Sequence, residues 1–281
     1  MRASERGESL LYYRHSLPVR IMHWINVLAF FLLLMSGLQI FNAHPTLGWG
    51  KSSYNGRPPV LQIGAGQHAD GSLAGFTEVL GHRFDTSGVL GISRVDGDTP
   101  VARGFPAWAT VPSLQWLAMG RRWHFFFAWV LVLNGVTYLL YGIFSRHLAR
   151  DLAPTPAELH SIGQSVKDHV RLRHPRGDAE RRYNVLQKLA YLAVILVLLP
   201  LMVLTGMSMS PRLDTLLPGW VDLLGGRQSG RTLHFITAWL LVGFVLIHVF
   251  EAAVSGFWNN LRSMVTGRYR VTAAEASDDE A

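Results

Sequence analysis

Four stretches of the chain, 21–41, 123–144, 189–209 and 232–250, contain no Asp, Glu, Lys or Arg. Each approaches or exceeds the roughly 20 apolar residues that a helix needs to cross a bilayer. Their apolar positions neither alternate nor keep to one stripe, so each segment is apolar all round. In hydrocarbon the backbone has no water to bond, and a lone segment meets that demand only as a helix. The pattern predicts four transmembrane helices, at about 21–41, 123–144, 185–209 and 232–257, in a single membrane domain spanning 1–272.

Between these runs the pattern breaks. Residues 42–118, with GWGKSSYNGRPP and GISRVDGDTPVARGFPAW, are rich in Gly and Pro and predict a large loop, with short strands around 60–63 and 88–93. Loops of this length are functional or disordered. The aromatic residues Trp49, Tyr54, Phe76, Phe84, Phe105, Trp108 and Trp116 point to an ordered cap that receives a partner. In the connection 145–183 a short amphipathic helix is expected over 156–171, with Thr155 as N-cap and Pro156 at its first position. The acidic tail 273–281 predicts disorder. No internal repeat supports an inverted-repeat transporter.

Composition narrows the class. The chain has 281 residues, 49% of them hydrophobic and 16% charged, which suits a membrane protein once the apolar residues are seen to cluster in four runs. There is no cysteine, so no disulfide scaffold, thiolate metal site or iron–sulfur cluster can be built from it. The formal charge of +7 reads as anchoring against anionic lipid rather than nucleic-acid binding. Arg146, Arg150, Lys167, Arg171, Arg173, Arg176, Arg181 and Arg182 crowd the second connection, against Arg212, Arg227 and Arg231 in the third. By the positive-inside rule both termini lie in the cytoplasm and 42–118 lies outside. The leader holding Arg2, Arg6, Arg14 and Arg20 is too long for a signal peptide and no small-residue cleavage site follows, so the first helix is expected to be retained.

Of twelve histidines, His23, His124, His234 and His248 fall in or at the edge of the apolar runs. Any one alone reads as a residue hydrogen-bonded to a neighbouring helix. Together they form a pattern. Fourteen residues apart, His234 and His248 are separated by roughly 21 Å and about 40° of helical rotation, so they share a face at opposite depths. Alternating helix direction then sets His23 level with His248 and His124 level with His234. Two imidazoles per level suit a haem, which needs two axial ligands, better than zinc, which takes four ligands or three and a water.

Secondary features agree. Gly37, fourteen residues beyond His23, is small enough for a porphyrin edge to pass, and Gly135 and Gly243 are lesser candidates. Arg20 and Arg231, each three residues before a candidate ligand, are placed to meet haem propionates, with Arg121 and Arg122 near His124; interfacial snorkelling explains the same residues. His44 competes with His124 as a ligand. His15, His68, His82, His147, His160, His169 and His174 are expected at the surface.

The segments VRIMHWINVLAFFLLLMSG, RRWHFFFAWVLVLNG, YNVLQKLAYLAVILVLLPLMVLTGMSMSP and GGRQSGRTLHFITAWLLVGFVLIHV resemble the bacterial di-haem cytochrome b family. That family includes membrane subunits of nickel–iron hydrogenases, formate dehydrogenases and thiosulfate reductases. The resemblance covers all four helices and is similar in particular to cytochrome b partners of periplasmic molybdopterin oxidoreductases. It implies an all-α four-helix bundle in the bacterial cytoplasmic membrane with two b haems, His23 pairing with His248 and His124 with His234. It also implies quinone chemistry near the cytoplasmic haem, for which Asn184, Gln187, Lys188 and His169 are candidates.

The expected function is electron transfer between the quinone pool and a periplasmic redox partner, a molybdopterin oxidoreductase by resemblance. Four alternatives stand beside it. These are a stand-alone cytochrome b561-type quinol or superoxide oxidoreductase, a proton transporter relaying through histidines, and a structural anchor for a periplasmic enzyme; satisfied core histidines are the fourth.

Overall fold

The computed structural model describes residues 9–53, 56–68, 70–94, 99–171 and 184–272. Tyr54, His174, the tail 273–281 and the side chain of His169 lie outside the described residues. The chain is mostly helical, with four helices long and apolar enough to cross a membrane: Leu17–Phe41, Leu117–Phe144, Val185–Ser208 and Arg227–Val254.

Each helix begins at or before its apolar run because the run marks only the part that can lie in hydrocarbon. The polar first turns, with Arg20, Arg121 and Arg227, remain helical. The third helix passes through a π turn at Val194–Leu198. Pro200 follows two residues after the turn, and a proline lacks an N–H and crowds the carbonyl four residues back, so a widened turn accommodates it. The fourth ends short of 257 because Gly256 adopts φ 104°, a left-handed conformation natural to glycine. A separate helix, Phe257–Thr266, follows.

Two compact units share these helices: residues 1–25, 134–199 and 240–281 in one, and 26–133 and 200–239 in the other. In the first unit, β1 (Ser9–Tyr13) and β8 (Arg268–Thr272) pair antiparallel, Tyr13 opposite Arg268. This pairing leaves the two ends of the membrane domain side by side. Asn134 Nδ2 donates to the Met22 carbonyl at 2.8 Å, joining the first two spanning helices beside His23. The expected helix 156–171 is broken at Ser161 into Pro156–His160 and Ile162–Val170. Thr155 and Glu158 form a reciprocal cap at its start, and the Ser161 hydroxyl closes the first piece by donating to the Glu158 carbonyl at 2.8 Å.

In the second unit, residues 42–118 are no irregular loop, so the chain is not purely helical. β2 (Thr46–Leu47), β3 (Leu61–Gln67), β4 (Leu73–Val79) and β5 (His82–Asp85) form one antiparallel sheet in that order, and β6 (Gly91–Arg94) pairs with β7 (Pro100–Arg103). Leu80 and Gly81, both at positive φ, make the two-residue turn between β4 and β5, the geometry that matches strand twist. Phe41, Leu47, Ile63 and Phe105 form the core here. Asn42 bonds Phe105 in both directions, at 2.6 and 3.1 Å, so the first helix ends where the sheet segment is anchored. The fourth spanning helix is capped from this segment: the Gly50 carbonyl accepts from Gln228 N and Ser229 N, and the Gly48 carbonyl from the Thr232 hydroxyl at 2.7 Å.

Candidate cofactor-binding site

Each unit contains one histidine pair. His23 and His248 have ring centroids 6.3 Å apart with an interplanar angle of 61°, and His124 and His234 are 6.3 Å apart at 66°. Two imidazoles sharing one metal, with metal–nitrogen bonds of about 2.0 Å and each nitrogen roughly 1.1 Å from its ring centre, put the centroids about 6.2 Å apart when in line. Both pairs meet that spacing. Among the described residues no group of three or more His, Cys, Asp or Glu converges, so each pair stands as two imidazoles, a number that would suit the iron of a haem.

The second unit defines the protonation of its pair. Ser36 Oγ lies 3.1 Å from His124 Nδ1, and Thr205 Oγ1 lies 3.0 Å from His234 Nδ1. A hydroxyl has one hydrogen to give. Ser36 gives its hydrogen to the Leu32 carbonyl at 2.5 Å and Thr205 to the Leu201 carbonyl at 2.6 Å, each four residues back on its own helix. Towards the imidazoles both hydroxyls are therefore acceptors, Nδ1 carries the hydrogen, and Nε2 keeps the lone pair that binds metal.

The next residue on each helix is glycine. A Cβ on Gly37 would lie 3.4 Å from His124 Cε1, and one on Gly206 would lie 3.3 Å from His234 Cε1. The first and third spanning helices thus present the same hydroxyl–glycine unit to a histidine on the second and fourth. Gly37, expected from its spacing to His23, lies against the His124 ring. A Cβ on Gly135 or Gly243 would meet nothing within 4 Å. The first pair sits among aromatic rings: His248 stacks on Phe244 at 5.8 Å and 13° and meets Tyr191 at 6.1 Å.

The matching family model, prokaryotic cytochrome b561, covers residues 14–267. The chain belongs to the prokaryotic cytochrome b561 family. It is a multi-pass membrane cytochrome b, an electron-transport protein with b-type haem. It is 26% identical over 244 residues, 87% of this chain and 92% of the relative, to a protein of Azospira oryzae named as a protein-methionine-sulfoxide reductase subunit. It is 22% identical over 275 residues, 94% of this chain and 85% of the relative, to a protein of Cupriavidus necator named as a Ni/Fe-hydrogenase B-type cytochrome subunit. No solved structure matches.

The cytochrome's other candidate residues are placed as follows. Arg20 donates through Nη1 to the Val265 carbonyl, while its Nε is buried without an acceptor. Arg231 donates to the carbonyls of His44 and Thr46, and His44 itself is exposed. Asn184 and Gln187 form the reciprocal cap of the third spanning helix, and Lys188 bonds Glu158 at 2.8 Å, so these three have structural roles. His15 and His147, expected at the surface, are half-buried. Burial, and next the Arg14 charge, push the His15 pKa down to about 4, and His147 Nδ1 lies 2.6 Å from Asp151 Oδ2. Ser36, Thr205 and Gly206 were missed by sequence reasoning. Their signal was present as the dipeptides Ser-Gly at 36–37 and Thr-Gly at 205–206.

Proposed function

We propose that this cytochrome holds two b haems, one between His23 and His248 and one between His124 and His234, and passes electrons between a membrane quinone and a redox protein on the extracytoplasmic side. The observation that carries the reading is the repeated 6.3 Å spacing of the two pairs, set fourteen residues apart along one helix. When bound, a haem supplies one-electron exchange at its iron. The residues do the rest. With both imidazoles of a pair holding it, a haem would have no open position for a substrate at the metal and would supply electron exchange alone. Ser36 and Thr205 hold two of the ligands in the metal-binding tautomer. Gly37 leaves room for the His124 ring, and Arg20 and Arg231 lie one turn from His23 and His234 as cations for the propionates.

The extracytoplasmic partner docks on the folded segment 42–118, and a molybdopterin oxidoreductase fits best. The relative from Azospira oryzae, named as a reductase subunit, and the one from Cupriavidus necator, named as a hydrogenase subunit, support a protein partner. The chain lies in the bacterial cytoplasmic membrane with both termini cytoplasmic. The β1–β8 pairing supports termini on one side, and the basic second connection supports that side being the cytoplasm.

The test is haem b per polypeptide, from pyridine haemochrome absorbance of detergent-purified protein, with His234→Ala and His248→Ala beside it. The expected result is two haems, with each substitution removing one. A wild-type ratio of one or none in protein made with ample haem, or a substitution that removes neither, overturns the reading.

A further inference from the structure

Among the described residues, two guanidinium nitrogens are buried without an acceptor: Arg20 Nε in one unit and Arg103 Nε in the other. Arg20 precedes His23 by one helical turn. Arg103 closes β7 and is 3% exposed. Every acceptor it reaches is neutral: the Ser113 carbonyl from Nη1 at 2.5 Å, and Gln39 Oε1 at 2.7 Å and Thr110 Oγ1 at 2.6 Å from Nη2. No described Asp or Glu forms an ion pair with it. Burial pushes its pKa below the usual value, yet a guanidinium keeps its proton in a protein.

A cation removed from water without an anion is costly, and buried charges are ordinarily paired. The surroundings hold this one in place. Gln39 Nε2 donates to the Leu114 carbonyl at 2.8 Å, which turns Oε1 towards Arg103. Gln39 lies three residues beyond Ser36, whose hydroxyl meets His124. A Cβ on Gly120, four residues before His124, would come 2.8 Å from Gln39 Cγ. Arg103 is therefore bonded to a residue about one helical turn, roughly 4.5 Å of rise, from Ser36, whose hydroxyl meets the His124 imidazole. Its unused donors are Nε, buried without an acceptor, and one hydrogen of Nη1.

We propose that Arg103 binds a propionate of the haem held by His124 and His234, and that Arg20 does the same for the haem of His23 and His248. This rests on the two-haem reading above and adds Arg103 as a binding residue for the second site. The haem carboxylate supplies the missing anion, and the fixed cation raises the potential of that haem by disfavouring its oxidised, more positive state.

The test is a redox titration of purified, fully loaded cytochrome, following both haems. In Arg103→Gln, the haem assigned to His124 and His234 should shift towards the oxidised state by on the order of tenfold, about 59 mV for one electron, with the other haem unchanged. Arg103→Lys should restore most of the shift. If Arg103→Gln does not load, Gln39→Glu tests the same point. A carboxylate there competes for the guanidinium, and the same haem should move in the same direction. Two haems with unmoved potentials in whichever variant loads would overturn the role of Arg103 and leave the two-haem reading standing. Fewer than two haems in the wild type overturns that reading itself.

Discussion

Replacing Thr205 by valine keeps the shape of a fully buried side chain (0% exposed) and removes only its hydroxyl. In the native protein that oxygen accepts from His234 Nδ1 at 3.0 Å. In the variant the imidazole hydrogen loses that acceptor. Removing one partner of a buried hydrogen bond costs about 1–3 kcal/mol. At about 1.4 kcal/mol per tenfold, this corresponds to roughly 5- to 150-fold weaker haem retention, bracketing the 10–100-fold typical of lost outer-shell partners. A ligand whose hydrogen is shared less strongly is also a poorer donor. If about 1 kcal/mol of the loss falls on the oxidised state alone, the midpoint potential rises by roughly 40 mV. Haem content by pyridine haemochrome and a potentiometric titration measure the two effects. Thr205→Ser, which keeps the hydroxyl, should behave as wild type. A Thr205→Val protein with two tightly held haems and unchanged potentials would refute the tautomer argument, because the hydroxyl would then not act on the ligand.

Gly206→Ala should be partly tolerated, since its Cβ would lie 3.3 Å from the His234 ring and a shift of a few tenths of an ångström relieves it. Gly206→Val should lose the haem of that pair while leaving the other, read as a halved haem-to-protein ratio. Asn134→Leu removes the buried link to the Met22 carbonyl; a loss of about 0.6–2 kcal/mol is expected for an interhelical hydrogen bond in a membrane, measured as a lower thermal midpoint in detergent. Glu158 is held below its ordinary value of 4.5 chiefly by its hydrogen bonds to Lys188. Its folded-state pKa is depressed, so its contribution to stability is complete above that ordinary value and fades as pH falls through the lower folded value. Glu158→Gln should therefore lower the thermal midpoint at pH 7 and converge with wild type in acid; an equal difference at both pH values would rule out the linkage.

The four spans and the common face of His234 and His248 were readable because both follow from rules local to a helix; the pairing was expected from alternating helix direction. Apolar length sets a span, and rotation per residue sets the common face of His234 and His248. The structure brings together the residues these rules select, His23 with His248 and His124 with His234. The strands of 42–118 were mostly unread because β3 and β4, LQIGAGQ and LAGFTEV, place glycines where alternation would show. There a phenylalanine covers the missing side chain, as Phe76 does at Gly64. Asn184, Gln187 and Lys188 looked available for chemistry because capping and ion-pair partners are invisible without neighbours.

Length, hydropathy and helical periodicity determined from sequence alone that the chain has four spans and that His234 and His248 share one face of the last of them. These are properties of single segments. The tertiary structure alone decided which hydroxyl meets which imidazole, that Gly37 lies against His124, and that Arg103 is carried from a distant strand onto Gln39, one turn from Ser36. Contacts between separate helices depend on packing that no one-dimensional period encodes, and a buried cation without an anion becomes visible only when everything around it has been placed.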